Sequence, residues 1–148
     1  MGAIDQFSNS LMPSELWSIV IGTMLGRGIS RETYSVRQND DLVLKFEVVE
    51  RYYQNTLEWE IWERVSYTKH AKWFAPCVDI SACGRILLMK RTLPAEPSSL
   101  PKQVPAFFTD TKAENWGMYK GRPVCHDYGV NLLMEKGMTG RMRKPSWY

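Results

Sequence analysis

One segment of this chain has a helical period, and the segments around it have the composition of strands. Leu57, Ile61 and Val65 recur every four residues between positions 52 and 67, with Glu58 on the adjoining face, which predicts a helix of about four turns. The apolar runs on both sides are short and end at turn-forming residues, as is typical of strands. One main helix among several short strands predicts an α+β fold, with an antiparallel sheet against that helix.

We predict three strands before the helix and two after it, the last two as a hairpin. Their ranges are 19–21, 33–36, 42–49, 78–80 and 85–89. Turns are predicted at 25–30 and 39–41, and a short helix after Pro13. A second hairpin, 116–119 with 123–126, is predicted around Lys120-Gly121, after a Pro-rich linker.

The composition limits the classes to which the protein can belong. Its 148 residues suffice for one domain with a core, and the net charge of +3 suits an anionic ligand without favouring nucleic acid. The apolar stretch 16–25 is too short to span a bilayer, and we see no targeting segment. Cys77, Cys83 and Cys125 form no C-x-x-C pair, which favours free thiols in a cytoplasmic protein.

Two motifs in the first half are suited to binding phosphate. Gly26 and Gly28 lie in a turn between strands, where backbone N–H groups can close over an anion, although a plain hairpin turn would also use glycine. Lys45 lies inside an apolar strand, where a buried ammonium needs a carboxylate or a phosphate as its partner. The alternative is a lysine on an edge strand that points into water.

Carboxylates form the other motifs. Glu58 lies on the apolar face of the helix, and a carboxylate there is expected to pair with Lys45. Glu60 and Glu63 lie on other faces and are better suited to contact with solvent. Asp110, Asn115 and Asp127 offer the hard oxygen ligands that Mg²⁺ prefers. Each Asp taken alone would most simply form a turn.

The order of these parts resembles that of the protein-kinase family: glycine-rich turn, strand Lys, helix Glu, hairpin, Asp-x-x-x-x-Asn and Asp-aromatic-Gly. The stretch LGRGISRETYSV is similar to the kinase glycine-rich loop, with Arg31 at the third glycine, where it could touch a phosphate. The resemblance implies that Lys45 contacts the α- and β-phosphates and that Glu58 holds Lys45. In ILLMKRT, Leu88 would lie near the gatekeeper position, and Met89 to Arg91 would offer backbone groups to adenine.

The second half carries the rest of the resemblance. DTKAENWG is similar to the catalytic loop D-L-K-P-E-N, so Asp110 would act as the base and Lys112 would steady the transferred phosphoryl group. Asn115 would hold a metal ion, and HDYG resembles D-F-G, with Asp127 as the other metal ligand. The cofactors implied are ATP and Mg²⁺.

The departures from the family indicate a fold reduced to its nucleotide-binding half. Phe108-Thr109 replaces the His-Arg before the catalytic Asp, 18 residues separate the hinge from Asp110, and 19 follow Gly129. The helical substrate platform is absent. We therefore predict one minimal kinase-like domain over 1–148. Its parts are an N-lobe-like unit (19–92), a Pro-rich linker (93–105), a catalytic-loop and metal-loop segment (106–130) and a basic tail (131–148), which is expected to be a loose or partner-bound end.

Three functions fit this reading. The first is an ATP- and Mg²⁺-dependent phosphotransferase acting on a protein or a small hydroxyl compound. The second is an inactive, pseudokinase-like module that inhibits or scaffolds a partner, with Trp59, Trp73 and Trp147 as exposed contact residues. The third is an accessory protein without a ligand.

The missing platform also predicts a protein partner or a second copy over the reduced C-terminal part. Such short chains suit compact genomes such as those of bacteriophages, which would place the protein in the host cytoplasm.

Overall fold

The largest sheet has five antiparallel strands and, together with the helices, confirms the predicted α+β class. The computed structural model describes residues 11–49 and 51–148. The strand order in the sheet is β1-β2-β3-β5-β4. The strands are β1 (Ile21–Arg27), β2 (Arg31–Val36), β3 (Asn39–Glu47), β4 (Cys77–Ile80) and β5 (Ile86–Lys90).

Helices and short strands complete the chain. The helices are α1 (Leu11–Val20), α2 (Gln54–Val65) and α3 (Leu133–Lys136), with 3₁₀ turns at Lys69–Trp73, Pro97–Ser99 and Ala113–Asn115. Four short strands form two pairs, β6 (Val104–Pro105) with β9 (Met142–Arg143), and β7 (Trp116–Tyr119) with β8 (Arg122–Cys125). In the described part of the chain, no helix is long and apolar enough to cross a membrane.

Helix α2 is the predicted main helix, but its buried face is rotated from the predicted one. Asn55, Glu58, Ile61 and Val65 are buried, whereas Leu57 is half-buried. Residues spaced three or four apart share one side of a helix. Two polar residues therefore continue the apolar face toward the start of the helix, which requires buried partners for both.

Three predicted boundaries were wrong. Residues 19–20 end α1 instead of opening a strand, and residues 25–27 continue β1, since Gly26 pairs with Thr33. The predicted turn at 39–41 belongs to β3, because Val36 pairs with Asn39 across a two-residue turn. At 25–27 and 39–41 the strand ladder overrides the local preference of Gly, Asn or Asp for a turn.

The hairpin of β7 and β8 confirms the prediction around Lys120-Gly121, although its second strand lies one residue earlier than the predicted 123–126. Trp116 pairs with Cys125 and Tyr119 with Arg122, so two residues make the turn. Lys120 and Gly121 both have a positive φ, 49° and 78°. A tight two-residue hairpin turn that matches the twist of its strands requires a positive φ at both central residues.

One hydrophobic core joins the sheet to the C-terminal part. Leu87 and Met89 of β5 are fully buried in it, and so is Val65 of α2. On the C-terminal side, aromatic rings fill it. Phe74 packs against Phe107, Phe108 and Tyr128, with ring centroids 4.8–5.9 Å apart.

The tail is anchored, which corrects the expectation of a loose or partner-bound end. The indole N–H of Trp147 donates to the carbonyl of Pro101 at 2.9 Å, and its ring packs edge-on against Trp116. The backbone N–H of Ser146 donates to the Thr111 hydroxyl. Trp59, Trp73 and Trp147, which were expected to be exposed, are half-buried and pack on the core.

Candidate functional site

A cleft of about 900 Å³ lies between the sheet and the 106–130 segment. Four parts of the chain form its walls: the turn between β1 and β2, β3, residues 90–95 after β5, and the hairpin of β7 and β8 with the residues that flank it. This volume falls within the range of about 300–1,000 Å³ that small-molecule sites occupy.

The predicted pair of Lys45 and Glu58 lies at the rear of the cleft. Lys45 shares a face of β3 with Val43 and Glu47, because alternate residues of a strand point the same way. Its Nζ is 2.8 Å from Glu58 Oε1, and both side chains are almost fully buried. The Lys45 ammonium also donates to the carbonyl of His126. An ammonium has three donors, so one of them has no partner among the described residues.

Arg31 is a second cation on the same carboxylate. As the first residue of β2, it points its guanidinium inward: Nη1 and Nη2 donate to the two oxygens of Glu58 at 2.8 and 3.1 Å. Nη2 also donates to Asp127 Oδ1 at 2.9 Å. The sequence placed Arg31 near the phosphates of a ligand; instead it holds the carboxylates Glu58 and Asp127 together.

Glu58 also fixes the Asp-Tyr-Gly segment. Its Oε2 accepts the backbone N–H groups of Tyr128 at 2.8 Å and Gly129 at 3.2 Å. Burial alone would raise the pKa of this carboxyl, but Arg31 and Lys45 outweigh that effect and lower the pKa to about 2. Glu58 is therefore a buried anion that joins β2, β3 and the 127–129 segment to α2.

Asn55 was missed by the sequence reading. Its Oδ1 accepts from Arg31 Nη1 at 3.1 Å, and its Nδ2 donates to the carbonyls of Lys45 and Arg85, each at 3.0 Å. Asn55 lies three residues before Glu58, on the same face of α2. Its position three residues before Glu58, on a helix face that is otherwise apolar, could have predicted a buried and hydrogen-bonded side chain.

His126 was also missed, although it precedes the predicted Asp127. Its Nε2 donates to the carbonyl of Glu114 at 2.8 Å, so Nδ1 is left to accept from the Thr92 hydroxyl, also at 2.8 Å. Burial, with the charge of Lys45, lowers the pKa of His126. The neutral ring therefore ties residues 90–95 to the 106–130 segment across the cleft.

The structure brings together most of the predicted site residues. Of the binding and metal candidates, those that line the cleft are Gly26, Gly28, Lys45, Arg91, Asn115 and Asp127. Glu58 lies directly behind Lys45. Met89 does not line the cleft, because β5 is hydrogen-bonded on both sides and this side chain is fully buried in the core. The two proposed catalytic residues, Asp110 and Lys112, are exposed and are not part of the cleft wall.

The donor set does not fit a resident Mg²⁺. Asp127 Oδ1 accepts from Arg31 at 2.9 Å. The amide nitrogen of Asn115 donates to the carbonyl of Asp110 at 3.2 Å and, among the described residues, leaves the amide oxygen free to bind a metal, so the misfit lies at Asp127. Within residues 11–49 and 51–148, no three His, Cys, Asp or Glu side chains are grouped so as to hold a metal. A divalent cation at Asp127 would lie beside the Arg31 guanidinium, which already neutralises that carboxylate.

The same cleft does fit an anionic ligand with an apolar part. A Cβ added at Gly26 meets nothing within 4 Å, and at Gly28 only the carbonyl of Arg31 at 3.7 Å, and neither glycine has a positive φ. Neither packing nor backbone strain thus requires these two glycines, whereas close approach of a ligand to the backbone would. The buried indole nitrogen of Trp116, in the cleft wall, has no partner among the described residues.

Comparison with known proteins does not assign the chain to a family. No family model matches the sequence, and no curated protein matches it either. The function has to be argued from the cleft and from the side chains that line it.

Proposed function

We propose that the protein binds a nucleoside triphosphate in this cleft, as a reduced relative of the protein-kinase-like fold. The observation that carries the proposal is the buried ion pair of Lys45 and Glu58 at the rear of a cleft whose opposite wall contains Gly26 and Gly28. An ion pair held by so many contacts is costly to assemble, and its position at the base of a cleft suits the binding of an anion.

Each part of the cleft has a role in this proposal. The unused donor of Lys45 would bind a phosphate oxygen, and the backbone at Gly26 and Gly28 would approach the other phosphates. Val43, Leu93 and Ala95 supply apolar surface to the cleft wall. A nucleobase would lie against that surface, and polar groups of the wall would set its orientation.

The arrangement favours binding over transfer. Asp110 and Lys112, the proposed base and phosphoryl-contacting residue, are exposed and lie outside the cleft wall. Asp127 is paired with Arg31. We therefore propose a pseudokinase-like module, whose nucleotide-bound form acts on a partner protein or a second copy of the chain.

Phosphotransfer is the second candidate, because Lys45, Asn115 and Asp127 line one cleft. In an active enzyme these groups would position the nucleotide, and the γ-phosphate would pass to a hydroxyl brought by the substrate. An active form would also need Asp110 to move next to that hydroxyl.

Calorimetric titration of ATP into the pure protein tests the proposal. We expect saturable heat in the wild type, loss of it in Lys45→Met and retention in Lys102→Met, which removes an exposed lysine outside the cleft wall. Circular dichroism spectra of both variants should match the wild type. If the wild type gives no heat with ATP or GTP, the proposal is wrong.

A transfer assay separates the two candidates. Labelled γ-phosphate appearing on the protein or on an added hydroxyl acceptor, and disappearing in Asp110→Asn, would favour the phosphotransferase. ATP binding without any label transfer would favour the pseudokinase-like module.

A further inference from the structure

We propose that Arg31 takes the place of a divalent cation at Asp127, so that the cleft binds a nucleoside triphosphate without a metal ion. This inference rests on the proposed function and concerns the chemical form of the ligand. Arg31 and Asp127 form an ion pair, in which Nη2 of Arg31 lies 2.9 Å from Oδ1 of Asp127. Charge that a metal would otherwise supply at this carboxylate comes from the chain itself.

The guanidinium is held too firmly to be displaced easily. It makes four hydrogen bonds, one to Asn55, two to Glu58 and one to Asp127, and its side chain is only 6% exposed. Arginine has five donors in a rigid fork and stays charged at any working pH. Removing it from this position would leave Glu58 with Lys45 as its only charged partner.

The backbone of Arg31 also belongs to the ligand side of the cleft. Its carbonyl accepts the N–H of Gly28 at 2.7 Å, and its pairing with Glu47 fixes the start of β2. One residue thus connects the glycine turn to Asp127. A divalent ion would have to break this connection to reach the Asp127 oxygen that Arg31 now holds.

The charges of the cleft wall favour the same conclusion. Five cationic side chains line it: Arg27, Arg31, Lys45, Lys90 and Arg91. Only two carboxylates do, Glu114 and Asp127, which leaves an excess of three positive charges. Counting Glu58 behind the wall reduces the excess to two. A triphosphate entering this cleft meets a cationic field without a bound metal.

The first experiment measures the ATP dissociation constant in excess EDTA and again in excess Mg²⁺. We expect the two values to agree within about threefold. A value at least about tenfold weaker in EDTA would overturn the inference and leave the proposed nucleotide binding intact. Failure of ATP to bind in either buffer would overturn both.

Asp127→Asn sharpens the test, since Asp127 is half-exposed and the change keeps the shape of the side chain. In this variant Arg31 keeps Glu58 as its only charged partner. We expect ATP to bind about threefold more tightly in EDTA than it does to the wild type. Weaker ATP binding by this variant than by the wild type in excess Mg²⁺, with no such weakening in EDTA, would show that Asp127 acts as a metal ligand and would overturn the inference.

Glu114→Gln is the matched control. It removes the other carboxylate of the cleft wall and leaves the pair of Arg31 and Asp127 in place. We expect it to tighten ATP binding less than Asp127→Asn does. Equal tightening by both variants would show that the Arg31–Asp127 pair has no special role.

Arg31→Met gives a readout without nucleotide. Titration with Mn²⁺, followed by electron paramagnetic resonance, should show no binding to the wild type and measurable binding to the variant, whose Asp127 carboxylate is released. Circular dichroism establishes whether the variant is folded, and the Asp127→Asn result decides the inference if it is not. Mn²⁺ binding to the wild type at Asp127 would contradict the inference.

Discussion

The two halves of the candidate site are held in very different ways. Around Glu58, five hydrogen bonds from Arg31, Lys45, Tyr128 and Gly129 converge on one fully buried carboxylate. Asp110, at the start of the segment that resembles a catalytic loop, is exposed, and its carbonyl accepts one bond from Asn115. Both regions contain motifs on which the predicted kinase resemblance rests, but only in the first do burial and hydrogen bonds fix the predicted functional side chains.

This difference indicates which part of the site the chain can maintain alone. A buried, fully paired polar cluster holds one geometry, because each broken contact leaves a charge without a partner. The exposed side chains of Asp110 and Lys112 have no such constraint, although Thr111 between them is buried and bonded to Ser146. Under the proposed function, the fold thus holds the side chains that would bind a nucleotide, and it leaves exposed the two that would take part in transfer.

The largest effect is expected from Glu58→Gln. This change leaves Arg31 and Lys45 without their shared anion, and breaking a buried ion cluster costs about 3–5 kcal/mol. Urea unfolding, monitored by circular dichroism, measures the change in the free energy of unfolding.

Glu63→Gln provides the control on the same helix, because Glu63 is exposed. We expect it to change stability by less than about 0.5 kcal/mol. Similar losses of unfolding free energy in the two variants would show that Glu58 does not hold the buried ion cluster together.

The next effect is the pH dependence that Glu58 confers. Its pKa is about 2 in the folded protein, below the ordinary value of 4.5. The stability it contributes is therefore fully present above pH 4.5 and is lost as the pH falls toward 2, by about 3 kcal/mol in total. Unfolding free energies measured between those pH values should fall more steeply in the wild type than in Glu58→Gln.

Asp110→Asn is the comparison for this pH dependence. Since Asp110 is exposed, the variant should follow the wild-type curve over the same range of pH. A wild-type stability that stays flat below pH 4.5 would show that Glu58 is not the paired anion described above.

Local pattern was enough to predict the ion pair of Lys45 and Glu58. Lys45 in an apolar strand and Glu58 on an apolar helix face each required a buried partner, and the pair forms at 2.8 Å. Arg31 was expected near the phosphates because it stands at the third glycine of the glycine-rich loop that the sequence resembles, and the strand was predicted to begin only at residue 33. The strand begins at Arg31 itself, and this makes its side chain part of the inward face.

The rest of the fold depended on contacts that sequence patterns do not reveal. Trp147 bonds to Pro101 and packs on Trp116, 46 and 31 residues away in the chain. The basic residues around it predicted a loose end, and burial of one aromatic ring overrode them. Met89 was assigned to the ligand because ILLMKRT resembles the strand that enters the kinase hinge, but pairing on both sides of β5 places Met89 in the core.

A smaller effect, confined to binding, is expected from Gly28→Ala. A Cβ there meets only the Arg31 carbonyl, at 3.7 Å, and Gly28 has no positive φ, so stability should change by less than about 0.5 kcal/mol. The added methyl group would keep phosphates from the backbone, and we expect ATP to bind about tenfold more weakly.

Gly121→Ala is the control in which the effects on stability and on binding are reversed. Its φ of 78° predicts lower stability by about 1 kcal/mol with unchanged ATP affinity.

The smallest effect is expected from Asp110→Asn. Its carboxylate is exposed, and only its backbone carbonyl is bonded to Asn115. The free energy of unfolding should stay within about 0.5 kcal/mol of the wild type. Urea unfolding with and without saturating ATP measures both states. A loss that appears only with ATP bound would show that the nucleotide draws Asp110 into the cleft, so that the ligand completes the half of the site that would take part in transfer. A loss without ATP would mean that Asp110 has contacts in the free protein, and that the contrast between the two halves is smaller than the geometry indicates.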